Sequence, residues 1–259
     1  MLKIFDSHSH YTDEMFEKDR SELLAGFPEK GVVRCMVAAS DIVSAKQGIA
    51  LAEEFPELVI TAVGVHPECT DTADDYLDTL RRLSEHPSVK AIGEIGLDYH
   101  YDGYDRDLQI RLLREQLALA KELDLPVILH CRDATEDMLK ILREFLPLQG
   151  VMHCFSGSAE TAEEVLAMGL YIGFTGVVTF ANAKKPLAAL RAVPLERLLI
   201  ETDCPYMAPV PMRGKRNNSS YIPYVAEKIG EIKTLTLKEM YDKKLILEVK
   251  DKNGNACNA

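Results

Sequence analysis

Short apolar runs alternate regularly with amphipathic stretches along most of this 259-residue chain. The runs are rich in Val, Ile and Leu without intervening polar residues, which is typical of parallel strands buried on both faces. We identify eight runs: Leu2–Phe5, Val32–Ala39, Val59–Val65, Val89–Ile95, Val127–Leu129, Val151–Met152, Tyr171–Phe174 and Leu198–Ile200. This alternation constrains the fold strongly, because a parallel strand needs a crossover, usually helical, before the next strand.

The stretches between the runs show helical periodicity. From Asp107 to Glu122, apolar residues recur on one face, and Asp133-Ala-Thr-Glu136 has the form of a capping box that opens the next helix. Eight strand–helix units in this length predict an α/β fold, a single-domain (β/α)₈ barrel. The alternative is a doubly wound open sheet, which requires a glycine-rich phosphate loop where the first run is followed by Asp6-Ser-His-Ser-His10.

Composition and the distribution of polar and apolar segments indicate the extent of the domain and the cellular location of the protein. Hydrophobic residues make up 47% of the chain, enough for a sizeable core. We place the barrel in residues 1–245, followed by a polar, loosely ordered C-terminal tail at 246–259. We expect a cytoplasmic protein without a membrane partner, because the sequence shows no signal peptide, no membrane-length apolar run and no Cys-x-x-Cys pair. Nothing in it implies a stable protein partner.

Residues that bind metals gather at predicted strand ends, namely five of the seven histidines and two carboxylates: His8, His10, His66, Glu94, His130, His153 and Asp203. In a (β/α)₈ enzyme the active site is built at the carboxyl ends of the strands. A single buried histidine is more often a hydrogen-bonded core residue than a ligand. Strand ends occupy roughly a tenth of a barrel sequence, so the probability that five of seven histidines fall there by chance is on the order of 10⁻⁴.

The chemistry of this set favours a pair of metal ions. His8 and His10 are two residues apart, so an extended strand points both rings toward one centre. Imidazoles suit ions such as Zn²⁺, Mn²⁺, Fe²⁺ or Co²⁺, and carboxylates can bridge two of them. Six ligands, with His66 left aside, are too many for one tetrahedral ion and suit two open sites. Two neighbouring ions can activate water and stabilise an in-line displacement.

A set of short motifs, in order and spacing from residue 1 to about 230, resembles the TatD family of metal-dependent deoxyribonucleases. The motifs are Asp6-Ser-His-Ser-His10, Gly64-Val-His-Pro67, Gly93-Glu-Ile-Gly-Leu-Asp98, His130-Cys-Arg-Asp-Ala134, His153-Cys-Phe-Ser-Gly157, Glu201-Thr-Asp-Cys-Pro205 and Arg213-Gly-Lys-Arg-Asn217. The resemblance implies a barrel of the amidohydrolase superfamily with 3′→5′ exonuclease or related nuclease activity. It also implies dependence on Mg²⁺, Mn²⁺ or Zn²⁺, a DNA substrate that is single-stranded or has free 3′ ends, and a role in DNA repair or degradation.

The same resemblance implies two ion sites that share Glu94, the first completed by His8, His10 and Asp203, the second by His130 and His153. Asp203 would also be the general base that accepts a proton from the attacking water.

The chain departs from the usual pattern of this family at two places. One is the loop after Arg213-Gly-Lys-Arg-Asn217, where the family usually continues with Glu-Pro and this chain reads Asn218-Ser-Ser220. The other is the polar C-terminus, where the family has a closing helix.

Further residues are candidates for substrate binding. Arg132 can clamp a phosphate or form a salt bridge in the helix layer, and Ser156 precedes a helix whose N-terminus would suit an anion. His66 can contact a substrate phosphate, hold a third ion or support a ligand. The basic residues after the eighth strand are either a substrate contact or a solvated surface: Arg213, Lys215 and Arg216. His100, with Tyr99 and Tyr101 beside it after the Glu94 strand, can stack on a base or line the rim.

Net charge limits the ways in which this protein can bind DNA. A formal charge of −11 argues against a broad basic binding face, although metal ions can supply positive charge locally. Two alternatives stay open. One is a metal-dependent ester hydrolase, such as a deacylase of D-aminoacyl-tRNA, and the other is a non-catalytic barrel that binds DNA or a partner.

Overall fold

A computed structural model describes residues 3–233, in which eight parallel strands follow one another around a barrel in sequence order. The strands are β1 Ile4–Ser9, β2 Val32–Val37, β3 Val59–Val63, β4 Val89–Asp98, β5 Val127–Arg132, β6 Gly150–Met152, β7 Tyr171–Phe174 and β8 Leu198–Ile200. The chain after β8 runs beside β1, where Ser9 and Cys204 form a parallel bridge. The predicted (β/α)₈ barrel is confirmed.

A helix follows each strand and covers the outside of the barrel. The helices are α1 Arg20–Ala25, α2 Ile42–Glu54, α3 Tyr76–Ser84, α4 Arg106–Glu122, α5 Thr135–Phe145, α6 Ala159–Ala167, α7 Lys184–Ala192 and α8 Ile222–Lys233. The capping signal predicted at Asp133 is wrong. Asp133 has a φ of 55°, outside the extended region that an N-cap residue adopts, and its carboxylate contacts the His100 ring instead.

Two apolar layers, one inside the barrel and one between the strands and the helices, stabilise the fold and determine which way the strand side chains face. The interior is filled by a small cluster from five successive strands: Met36, Ala62, Ala91, Ile128 and Val151. The larger layer lies between strands and helices and includes Leu129. Because neighbours on a strand face opposite ways, His130 shares the inward face of Ile128, whereas Leu129 packs toward the helices. Strand alternation therefore positions the polar groups described below.

Several strands continue beyond the ends predicted from their apolar runs. β1 reaches Ser9 and includes His8, β4 reaches Asp98, and β5 reaches Arg132 and includes His130. These residues lie inside strands and not after them, because an inward polar side chain does not interrupt the backbone ladder. None of the helices in residues 3–233 combines the length and hydrophobicity needed to cross a bilayer. The predicted boundary at 245 and tail at 246–259 lie outside the described residues.

Candidate metal centre

His8 of β1, His10 directly after that strand and a carboxylate from the loop after β8 converge at the carboxyl end of the barrel. The Nε2 atoms of His8 and His10 are 3.0 Å apart. Asp203 Oδ1 lies 3.7 Å from the first and 3.4 Å from the second. The backbone joins these segments, since the Asp203 amide donates to the His8 carbonyl at 3.0 Å. Two imidazole nitrogens this close need a proton or a cation between or beside them.

Glu94 lies at the centre of the site and is 2% exposed. Its Oε2 is 3.1 Å from His8 Nε2 and 3.3 Å from His10 Nε2. Its Oε1 is 2.8 Å from His130 Nδ1 and 2.6 Å from His153 Nε2. The two oxygens of one carboxylate thus face two separate groups of histidines, which is the geometry that a bridging ligand requires.

The donor set fits divalent cations. Three overlapping groups have donor atoms within 4.8 Å of one another: His8–Glu94–His153, His8–His10–Asp203 and His66–Glu94–His130. Imidazole nitrogens and carboxylate oxygens are ligands of Zn²⁺ and Mn²⁺, and carboxylates also suit Mg²⁺. The seven side chains that were predicted at strand ends are therefore brought together, and His66 joins the same cluster.

Burial and neighbouring groups shift the pKa values of these side chains toward the protonation states that a metal ligand needs. Burial, reinforced by His153, lowers the pKa of His8 to about 4, so this ring is neutral. Burial acts against ionisation of Glu94, but the surrounding imidazoles of His153, His8 and His66 outweigh it and hold the pKa well below its usual range. Burial likewise opposes ionisation of Asp203, yet the hydrogen bond from His10 keeps its pKa lowered. Both carboxylates are ionised and can neutralise a cation.

A carboxylate that sequence reasoning missed supports His130 from behind. Asp98 is buried at the end of β4, and its Oδ2 lies 2.9 Å from His130 Nε2. Gln109 of α4 fixes the Asp98 backbone through two hydrogen bonds of 2.9 Å. A carboxylate on the far nitrogen of a ligating histidine orients the ring and raises its basicity. The available signal was strand spacing, because Asp98 is four residues after Glu94 and so shares its face.

A second buried acidic network lies beneath the centre and was also missed. Asp6 accepts hydrogen bonds of 2.6 Å from the hydroxyls of Thr202 and Ser219. Burial, partly offset by these bonds, raises the pKa of Asp6 to about 6. Glu201 accepts from the Ser7 hydroxyl at 3.1 Å. This network joins β1, the segment after β8 and the unusual Asn218-Ser-Ser220 loop, so that loop has a definite structural contact.

Three predicted substrate contacts line one cavity of about 730 Å³ above the metal cluster: His66, Arg132 and Ser156. His66 Nδ1 accepts the Glu68 amide at 3.1 Å, so in the neutral ring Nε2 carries the proton and acts as a donor toward the site. Arg132 lies on the cavity wall, with its guanidinium 4.0 Å from Asp98, and not in the helix layer. Ser156 does not cap α6; Ser158 does.

The basic cluster after β8 is placed differently, since none of its three members lines this cavity. Arg216 forms a two-pronged ion pair with Asp19 and lies over the Phe16 ring at 4.6 Å, so it ties the loop after β8 to the loop after β1. Arg213 lies 3.9 Å over the Phe180 ring. Lys215 is exposed.

Residues 5–245 match the family model of TatD related DNases. The metal-dependent hydrolase YabD of Bacillus subtilis (strain 168) is 44% identical over 240 residues, which cover 92% of this chain and 94% of YabD. The 3′-5′ ssDNA/RNA exonuclease TatD of Erwinia tasmaniensis is 36% identical over 235 residues, covering 88% and 91%. The structure of YjjV, a TatD homologue from Escherichia coli K12, superposes with a TM-score of 0.82 at 32% identity, covering 92% and 96%.

Proposed function

Because this chain belongs to the family of TatD related DNases and is a metal-dependent hydrolase, we propose that it cleaves phosphodiester bonds of DNA with two metal ions, as a 3′→5′ exonuclease on single strands. The observation that carries this proposal is the position of Glu94, whose two oxygens face separate groups of histidines.

In this proposal His8, His10, Glu94 and Asp203 would hold one Mg²⁺, Mn²⁺ or Zn²⁺ ion, and Glu94, His130 and His153 would hold a second. When bound, such ions lower the pKa of a water and stabilise the charge that develops on phosphoryl oxygens. Asp203 lines the cavity with its side chain 14% exposed, and it takes the proton of the attacking water. The water oxygen bonds to phosphorus while one phosphorus–oxygen bond to a sugar breaks, and the departing sugar oxygen takes up a proton from solvent and leaves as a hydroxyl.

The substrate contacts proposed for this chain lie on the cavity wall. The Nε2 proton of His66 and the guanidinium of Arg132 bind non-bridging phosphate oxygens, and the exposed hydroxyl of Ser156 adds a further donor. Arg213 and Lys215 remain predicted contacts for the strand outside the cavity. For Arg216 the ion pair with Asp19 supports a structural role. We place the activity in the cytoplasm, in DNA repair or degradation.

Turnover of an end-labelled single-stranded oligonucleotide tests this function. We expect cleavage with Mg²⁺ or Mn²⁺, none with a chelator present, and recovery when metal is restored. D-Aminoacyl-tRNA, assayed in parallel, separates phosphodiester from carboxyl-ester chemistry. Hydrolysis of the aminoacyl ester without cleavage of the oligonucleotide would assign the metals to the alternative reaction, and metal-dependent oligonucleotide binding without turnover would favour a binding barrel.

A further inference from the structure

An exposed tyrosine stands at the mouth of the cavity, close to the proposed cleavage site. Tyr101 follows the end of β4 by three residues, lines the cavity and is 56% exposed. An aromatic ring left this open to solvent, on the wall of a polar cavity, contributes little to the core. The Arg132 guanidinium lies over the ring and the His100 ring makes a T-shaped contact with it at a centroid distance of 5.0 Å. The ring surface that remains open to solvent is available to a ligand with a flat face of its own.

The charge of the cavity limits how it can hold a polyanion. Six carboxylates line it: Asp13, Asp41, Glu68, Glu94, Asp98 and Asp203. Within the described part of the chain, Arg132 is the one lysine or arginine among the lining residues. Phosphates other than the one being cleaved therefore find little positive charge here. Affinity for the rest of a nucleic-acid strand must therefore come mainly from uncharged groups of the cavity.

The guanidinium of Arg132 contacts the exposed ring of Tyr101. The guanidinium carbon of Arg132 lies 5.1 Å from the centre of the Tyr101 ring, and Arg132 Nη1 donates to the Tyr101 hydroxyl at 3.3 Å. The loop is anchored on both sides of the ring. Tyr99 stacks on Tyr104 with a centroid separation of 4.7 Å, and the His100 ring contacts Asp133 at 2.8 Å. The pair is thus held in place before any substrate arrives.

We propose that Tyr101 and Arg132 form a nucleotide subsite, in which an unpaired base stacks on the Tyr101 ring and the adjoining phosphate pairs with Arg132. This inference rests on the phosphodiesterase function proposed above and adds a requirement for a base beside the scissile phosphate. Every base has a π-face, so the subsite accepts DNA or RNA without sequence preference. A base within a duplex is already stacked and does not reach the ring, which selects for single strands.

Removal of individual bases from a short single-stranded oligonucleotide tests this subsite. For the metal-loaded wild-type protein, one abasic nucleotide flanking the cleaved bond should raise KM by about 5- to 150-fold, the effect of losing one stacked base. Tyr101→Ala should raise KM for the intact oligonucleotide by a similar factor and show no further loss on that abasic substrate. Tyr101→Phe keeps the ring and should stay close to the wild type on both.

The chain provides a matched control. At the opposite end of the barrel, Arg197 lies 5.0 Å over the ring of Tyr171, so Tyr171→Ala removes an equivalent pair far from the cavity and should leave KM unchanged. The subsite is refuted if Tyr101→Ala raises KM equally for intact and abasic oligonucleotides, or if no abasic position affects the wild type. Failure of the wild type to cleave any oligonucleotide would instead overturn the proposed function, and the subsite with it.

Discussion

At the scale of single residues, the two ring nitrogens of His130 have different partners. Nδ1 faces Glu94 at 2.8 Å and Nε2 faces Asp98 at 2.9 Å. Burial disfavours a charged ring, but Asp98 and Glu94 outweigh it and raise the pKa of His130 to about 9. The ring is therefore fixed in one orientation by Asp98, and its other nitrogen is aimed at the metal centre.

Asp98→Asn should weaken metal binding about 10- to 100-fold, the usual cost of losing a carboxylate behind a ligating histidine. The amide keeps the shape of the side chain and removes its charge. Turnover titrated with Mn²⁺ should recover part of the wild-type rate at high metal concentration. Asp133→Asn, a change in an exposed rim carboxylate, is the control and should keep wild-type metal affinity. An unchanged metal affinity in Asp98→Asn would contradict the supporting role.

The principal ligand candidates could be predicted from the sequence, and their supporting residues could not. His8 and His10 can be identified as ligand candidates because they are two residues apart at the end of one extended segment. Asp98 and Glu201 acquire theirs from partners on other strands, 32 residues away at His130 and 194 away at Ser7. Strand spacing indicates the face on which a carboxylate such as Asp98 lies, but it does not indicate which group on another strand that carboxylate will contact.

At the scale of secondary-structure elements, Asp137 of α5 joins three segments of the barrel surface. It accepts hydrogen bonds from the Tyr99 hydroxyl at 2.8 Å and from Nε and Nη2 of Arg106 at 2.7 Å each. These bonds link the end of β4 and the start of α4 to α5. The guanidinium of Arg106 holds the pKa of Asp137 below its usual range.

Asp137→Asn should lower the free energy of unfolding at neutral pH by about 1 kcal/mol, within the range for a partly exposed, bidentate ion pair. A carboxylate with a lowered pKa in the folded state stabilises the protein above its unfolded pKa. That stabilisation is lost as the pH falls through the lower folded value. The difference between wild type and variant, measured by urea unfolding, should therefore shrink below about pH 4. A difference independent of pH would exclude this ion pair as its cause.

The order and kind of the elements could be predicted, while several of their ends could not. The apolar runs for β7 and β8 match the observed strands in full. β4 runs three residues past its predicted end because Gly96, Leu97 and Asp98 continue the ladder with β5. The ion pair of Arg216 with Asp19 also escaped prediction, since it joins loops 197 residues apart that only barrel closure brings together.

At the scale of the whole molecule, the proposed function requires a chain with a net charge of −11 to act on a polyanion, and barrel closure supplies the arrangement that this requires. Closure places β1 beside the segment after β8, so His8 and His10 meet Asp203 next to Glu94. Carboxylates that would repel DNA line the cavity at the candidate metal centre, and bound ions would reverse the local field there. The proposed function therefore predicts that the site depends on metal for attracting its substrate as well as for cleaving it.

The most direct test of the two-metal account is bound metal per chain, measured together with the single-turnover rate, in the wild type and in Glu94→Gln. The wild type should bind about two equivalents and cleave a single-stranded oligonucleotide. Glu94→Gln should lose at least one equivalent and its nuclease activity, because an amide bridges poorly. Glu68→Gln, a change in a carboxylate of the same cavity outside the donor groups, should keep its metal. Near-normal metal content and near-normal turnover in Glu94→Gln would contradict a bridged pair of ions.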